Sequence, residues 1–300
     1  MRRAWAGVLA AVTPGTAFAH AGVVPLAQPG WTLEPWLLVA LGLSAGLYSL
    51  GAARLARRAG AGRRPLRRRS LLFAAGWLTL VLAAVSPLHQ AGGRSFTAHM
   101  VEHELLMLVA APLLVLSRPL GAMIWAFPAG GRQALAALGR QSVLRGAWAA
   151  LSAPVTATLV QAAALWLWHA PALFDLALAR EPWHIAQHLS FLLSALVFWH
   201  AMLSPRRDSV ALAALCLFAT SLVAGALGAL MAFSESPWYG RYALLGMTPF
   251  GLTPAEDQQL AGLLMWIPGG FVHAGAALAL IGRALAARAA GDRRALSSQA

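Results

Sequence analysis

The 300-residue chain has no lysine, a single cysteine and few charges. Charged residues make up 11% of it and hydrophobic residues 59%. A soluble domain carries about 25% charged residues, so a soluble globular protein is excluded and the lipid bilayer becomes the expected surroundings. The lone Cys216 lies inside an apolar run, which excludes a disulfide framework and any Cys-x-x-Cys metal or redox motif. A metal, if held, falls to His, Met or carboxylate. The net charge of +13 rests on 23 arginines set in short runs between apolar stretches. That is the pattern of positive-inside loops. A nucleic-acid-binding face would need a soluble domain to carry it, and none is legible, so no nucleic acid is expected as a partner.

Arg2 and Arg3 precede an apolar run over residues 4–12, then Pro14, Gly15 and Ala17-Phe18-Ala19. A basic start, a short apolar region and an Ala-x-Ala site describe a signal peptide over 1–19; an uncleaved signal anchor is the alternative. Cleavage after Ala19 makes His20 the mature N-terminus and opens a periplasmic segment over 20–33. The α-amine and imidazole of His20 would then form a small chelate suited to Cu(II), which favours nitrogen.

Runs of about 20 apolar residues cross a bilayer as helices. They fall near 34–53, 70–88, 97–117, 153–170, 184–203, 210–233 and 255–285. The expected fold class is therefore all-α: a polytopic membrane helical bundle of about seven transmembrane helices over 34–288, followed by a tail over 289–300. Thr253, Pro254 and Glu256 read as a capping box opening the last span, and Pro268-Gly269-Gly270 predicts a kink within it. The stretch 120–150, with Arg132, Arg140 and Arg145 among alanines and leucines, reads as interfacial helix. Arginines number eighteen in the loops on one side (54–69, 118–145, 204–209 and the C-terminal tail) and three on the other (Arg94, Arg180, Arg241). The bias sets the N-terminus outside and the C-terminus in the cytoplasm.

That topology gathers histidines at the outer face. His89 ends the second span, His99 and His103 open the third, His169 ends the fourth, and His184 and His188 open the fifth. Only His200 and His273 lie deeper. Ionisable residues in spans are costly and mark paths or sites. His99/His103 and His184/His188 are each four apart, so each pair shares a helix face, and two facing pairs could supply four imidazoles to a metal. Met100, Met107 and Met265 are thioether candidates, which favour Cu(I). Glu102 and Asp257 could orient the imidazoles, although a carboxylate near a helix N-terminus is favoured in its own right. His99-Met100-Val101-Glu102-His103 also fits the His-x-x-Glu-His pattern of inverted zinc peptidases, but without the surrounding soluble peptidase domain. Tryptophans such as Trp166, Trp168, Trp183, Trp199, Trp238 and Trp266 fit aromatic belts. A bis-His haem is as compatible with the spacing as copper.

Ser95-Phe96-Thr97-Ala98-His99-Met100-Val101-Glu102-His103, running on to Ala111-Pro112-Leu113-Leu114, resembles the polytopic membrane assembly factors of caa3-type cytochrome c oxidases (CtaG). So do Trp168-His169-Ala170-Pro171 with the following His184 to His188 block, and Asp257-Gln258-Gln259-Leu260-Ala261-Gly262 leading to Met265-Trp266. The resemblance covers about residues 86–275 and carries over to His99, His103, His169, His184, His188 and Asp257. It implies a protein needed to mature a haem–copper oxidase, with copper handled on the periplasmic side.

The expected function is thus oxidase assembly in a bacterial inner membrane, without enzymatic activity. Copper would be bound by some of His99, His103, His184, His188, His169, His89, His20 and Met100, and delivered to oxidase subunits or to other copper-handling assembly factors. The alternatives are a copper transporter using His200 and His273, a bis-His haem protein, and a scaffold whose histidines pair with carboxylates.

Overall fold

Proline placement sets most helix boundaries, because a proline in the first turn gives up an N–H that would have no intrahelical partner there. A computed structural model describes residues 29–58, 62–204 and 209–297, with side chains to residue 290. The signal-peptide assignment and His20 lie outside the described residues. The helices in chain order are α1 (Pro35–Arg58), α2 (Arg63–Val85), α3 (Pro87–Gly92) and α4 (Phe96–Glu104). A π-helical turn (Leu105–Ala110) joins α4 to α5 (Ala111–Ser117) as one span. Then come α6 (Pro119–Met123), α7 (Ala129–Arg140), α8 (Ser142–Leu151), α9 (Pro154–Trp168) and α10 (Pro171–Ala179). The chain ends with α11 (Glu181–Leu203), α12 (Val210–Ala232), α13 (Gly240–Leu245) and α14 (Pro254–Ser297). No strand occurs among the described residues.

Six of these spans are long and apolar enough to cross a membrane, or seven if the bent pair α8/α9 counts as one. The fourth span differs in detail from the sequence reading. The 15 residues of α9 rise only about 22 Å, short of the roughly 30 Å hydrocarbon core. The missing length comes from α8, set at 67° to α9 across a break just before Pro154. The 120–150 stretch is accordingly several short helices, of which α7 and α8 are exposed along most of their length. His89 does not end the second span either. Val85 does, and Ser86 caps the separate helix α3 that carries His89.

The π-helical turn has a local cause. Pro112 has no N–H to return to Leu108 and its ring crowds that carbonyl, so the preceding turn widens. Such turns frequently sit at functional sites. The Met107 carbonyl within it accepts a hydrogen bond from Trp199 Nε1 at 2.8 Å. The expected capping box of α14 is present: Glu256 N donates to Thr253 Oγ1 (3.3 Å) and Thr253 N to Glu256 Oε2 (2.8 Å). The helix assignment continues unbroken through Pro268.

Helices α12 and α14 pack in close backbone contact. A Cβ at Gly228 would stand 2.6 Å from the Gly262 carbonyl oxygen, and one at Gly262 would stand 2.4 Å from that of Gly228. The two backbones meet where no other residue fits, the small-residue mode of membrane helix packing. Elsewhere Leu43, Leu78, Leu159, Leu193, Phe218 and Phe271 remain exposed, as a lipid-facing surface requires. Arg64, Arg68, Arg69, Arg118 and Arg283 line one pocket. They sit toward the ends of α2, α5 and α14 remote from His99, His103 and His188, so this arginine group and that imidazole group occupy opposite ends of one bundle.

Gly262→Ala forces α12 and α14 apart and is expected to cost about 1–3 kcal/mol through overpacking. The sole thiol, Cys216, is buried on α12, so a thiol-reactive dye in a thermal ramp reads the loss directly as a lower midpoint.

Candidate metal centre

Helix α4 is held at its start by a carboxylate from another span. Asp257 on α14 accepts from Ser95 Oγ (2.8 Å), Phe96 N (2.5 Å) and Thr97 N (3.2 Å), and Thr97 Oγ1 donates to the Asp257 carbonyl (2.8 Å). These are first-turn amides with no intrahelical partner, and a negative charge is favoured beside them. Asp257 therefore does not touch the imidazoles. It fixes the position of the helix that carries two of them.

One turn further along α4, His99 and His103 meet His188 of α11. The Nε2 atoms of His99 and His103 are 3.0 Å apart, and those of His103 and His188 are 3.3 Å apart. All three lie within 4.8 Å of one another. His99 and His103 are each 1% exposed, so water does not separate them. The partners of the opposite ring nitrogens assign the tautomers of two rings. His99 Nδ1 is 3.0 Å from Tyr242 Oη, and the Tyr242 hydroxyl donates to the Gly92 carbonyl at 2.5 Å. Burial, with the Asp257 and Glu102 charges adding to it, holds the Tyr242 pKa well above the ordinary tyrosine value. The phenol keeps its proton, and its oxygen accepts from His99 Nδ1–H. His188 Nδ1 is 3.3 Å from Glu102 Oε1, whose negative charge favours a proton on that nitrogen. Both rings thus turn a bare Nε2 lone pair toward His103.

His103 Nε2 can carry one proton and offer it to one neighbour, leaving the other lone pair unmet, while its Nδ1 is buried without a partner. Protons cannot satisfy three converging nitrogens. A cation can. For metal–imidazole bonds of about 2.0 Å, ligands at a tetrahedral angle stand about 3.3 Å apart, close to the two spacings observed. The same spacing leaves no gap for a macrocycle, so the cluster does not fit a bis-His haem.

The other residues singled out in the sequence surround this centre. His89 Nδ1 donates to Glu102 Oε1 at 2.7 Å, so one carboxylate oxygen joins α3, α4 and α11. Burial opposes a charge on His89, but the hydrogen bond and charge of Glu102 outweigh it and raise its pKa above the ordinary value. Glu102 is thereby committed to orienting imidazoles, which weakens the peptidase reading of the His-x-x-Glu-His pattern. His184 stacks against His89 (5.2 Å) and packs on His188 (4.3 Å), with a buried Nε2 that has no partner. His169 and Met100 form a separate pair. His169 Nδ1 donates to the Leu165 carbonyl at 2.7 Å, and its Nε2 stands 3.4 Å from Met100 Sδ. Two lone-pair donors face each other there. Phe174 and Phe191 each contact both this pair and the three-imidazole cluster.

Tyr242 was not legible as part of the site. It lies 143 residues from His99 on a helix of six residues, too short to show a periodic face. Met107 and Met265 lie deeper, away from these imidazoles. His200 packs on Trp148 of α8 at 5.1 Å, also away from them.

The fold and this cluster define a polytopic helical membrane protein with a buried imidazole centre at one end of its bundle. The model of the cytochrome c oxidase caa3 assembly factor family matches residues 46–287, and the chain belongs to that family. No curated protein and no solved structure matches it.

Asp257→Ala leaves three donors at the start of α4 unmet. It is expected to lower stability by about 1–3 kcal/mol, read by the same Cys216 melting assay, with Asp257→Asn falling between variant and wild type.

Proposed function

We propose that this protein serves oxidase assembly by binding a copper ion on His99, His103 and His188 and handing it to an oxidase subunit or to another copper-handling factor. The observation that carries the reading is the convergence of three Nε2 atoms, with His99 Nδ1–H held by Tyr242 and His188 Nδ1 facing Glu102. Metal-ligating histidines are characteristically oriented in this way. Imidazoles alone suit several divalent metals, and the adjoining His169/Met100 pair adds a thioether, which selects copper in its reduced state.

The ion is cargo, so no bond in a substrate needs to be made or broken and the role is not enzymatic. Release requires ligand exchange. His184 and His169/Met100 flank the three-imidazole cluster and offer nitrogen and sulfur positions to which an ion can shift without becoming bare. The positive-inside rule places the arginine-lined end in the cytoplasm and the histidine end outside. In a bacterial inner membrane that is the face on which copper would be passed to the oxidase.

Wild-type protein purified in mild detergent and loaded with copper is expected to hold about one ion at this centre. His99→Ala/His103→Ala is expected to lose it, as read by copper, zinc and iron content per chain. Equal copper in both proteins contradicts the assignment. Tyr242→Phe keeps the ring packing and removes the acceptor for His99 Nδ1–H together with the donor to the Gly92 carbonyl. It is expected to weaken copper binding about 10–100-fold in chelator competition, with a modest fall in the melting midpoint.

A further inference from the structure

Beneath the imidazole centre the bundle encloses a second cluster of electron-pair donors. A cavity of about 30 Å³ is lined by Glu104, Met107, Gln161, Trp199, Met265 and His273, drawn from α4, its π-helical turn, α9, α11 and α14. Gln161 lies two turns before His169 on α9, about 12 Å deeper along the helix. Polar groups at such depth are expensive and mark function.

The hydrogen-bond inventory of the cavity is one-sided. Gln161 Nε2 donates to Met107 Sδ at 3.3 Å, Trp199 Nε1 to the Met107 carbonyl at 2.8 Å, and the nearby Thr220 hydroxyl to the Cys216 carbonyl at 2.9 Å. These donors are committed. Gln161 Oε1 and Glu104 Oε2 are buried acceptors without a partner. His273 Nδ1, near the Gly269 carbonyl but outside hydrogen-bond geometry, is also unmet. Gln161 is 7% exposed and His273 5%, so solvent does not satisfy them. The sulfurs of Met107 and Met265 add two thioethers, and the His273 ring is held flat against Trp199 (5.7 Å, 6°). Unmet buried acceptors are costly, and a cation satisfies several of them at once.

Which cation follows from the donors. Two thioethers and an imidazole are soft or borderline ligands that favour Cu(I), whereas Mg²⁺ and Ca²⁺ want cages of oxygen. A single carboxylate balances one positive charge, which again suits a monovalent ion. The volume admits one water-sized occupant.

We propose that this cavity is a second copper site, within the membrane-spanning part of the bundle, that takes one Cu(I) on Met107, Met265 and His273 with Glu104 supplying the counter-charge. The site stands on its own donors and does not require the outer centre to hold metal.

The test is carried out in a His99→Ala/His103→Ala/His188→Ala/Met100→Leu background, which removes the three proposed outer ligands and the neighbouring thioether. The metal-free protein in detergent is titrated with Cu(I) under reductant against a chelator of known affinity, and copper per chain is counted. The background is expected to retain about one Cu(I), displaced by Ag(I) and not by Zn²⁺. Adding Met265→Leu/His273→Leu is expected to weaken retention at least about ten-fold. Met107→Leu alone, which conserves volume, guards against misfolding of the multiple variant, and the Cys216 melting curve checks each protein. A background that binds no Cu(I), or binding unchanged by both the Met107 and the Met265/His273 substitutions, overturns the proposal and leaves a bound water as the occupant. The outer reading fails separately, if wild type and the His99→Ala/His103→Ala protein hold equal copper.

Discussion

The histidine-bearing end of the molecule depends on one buried carboxylate. Glu102 Oε1 receives a hydrogen bond from His89 at 2.7 Å and lies 3.3 Å from His188 Nδ1, so a single oxygen joins α3, α4 and α11. A buried charge must be paired or solvated by hydrogen bonds, and here imidazole N–H groups do the pairing. The consequence reaches past the ion pair. With Glu102 drawing the proton of His188 to Nδ1, its Nε2 faces inward as a lone pair. Tyr242 imposes the same condition on His99. The cluster is built so that its nitrogens present electron pairs to one another, an arrangement that a cation among them would satisfy.

Two further constraints hold this geometry in a helical bundle. Asp257 ties the start of α4 to α14 through first-turn amides, and the Gly228/Gly262 contact brings α12 against α14. The span carrying His99 and His103 is thereby referenced to a closely packed pair of helices. Below it, Pro112 widens the helix into a π-helical turn and the Met107 carbonyl is taken up by Trp199. One proline thus shapes both a structural joint and the wall of the deeper cavity.

Much of this was legible in the sequence, for reasons that are local. Apolar runs gave the spans because bilayer thickness sets their length. Four-residue spacing gave the faces of His99/His103 and His184/His188 because it is close to one helical turn. What stayed hidden was long-range or conformational. Spacing could not show that three of the four imidazoles converge while His184 stands beside them, since that depends on the rotation of α4 against α11. Asp257 was visible as a carboxylate near a helix start, but the amides it receives belong to a segment 160 residues away. Tyr242 carried no signal at all. The shortness of α9 was obscured because residues 142–151 are amphipathic enough to read as interfacial rather than as half of a bent span. His273, Met107 and Met265 were visible individually. Their assembly with Gln161 and Glu104 around one cavity requires three spans to be in place.

The central claim is that the three converging imidazoles hold copper. X-ray absorption at the copper edge, on wild-type protein loaded with a single equivalent, tests it most directly. The account predicts a first shell dominated by imidazole nitrogen, with the outer-ring scattering typical of histidine, and its loss on His188→Ala. A shell of oxygen scatterers without imidazole features, or one unchanged by that substitution, would contradict it.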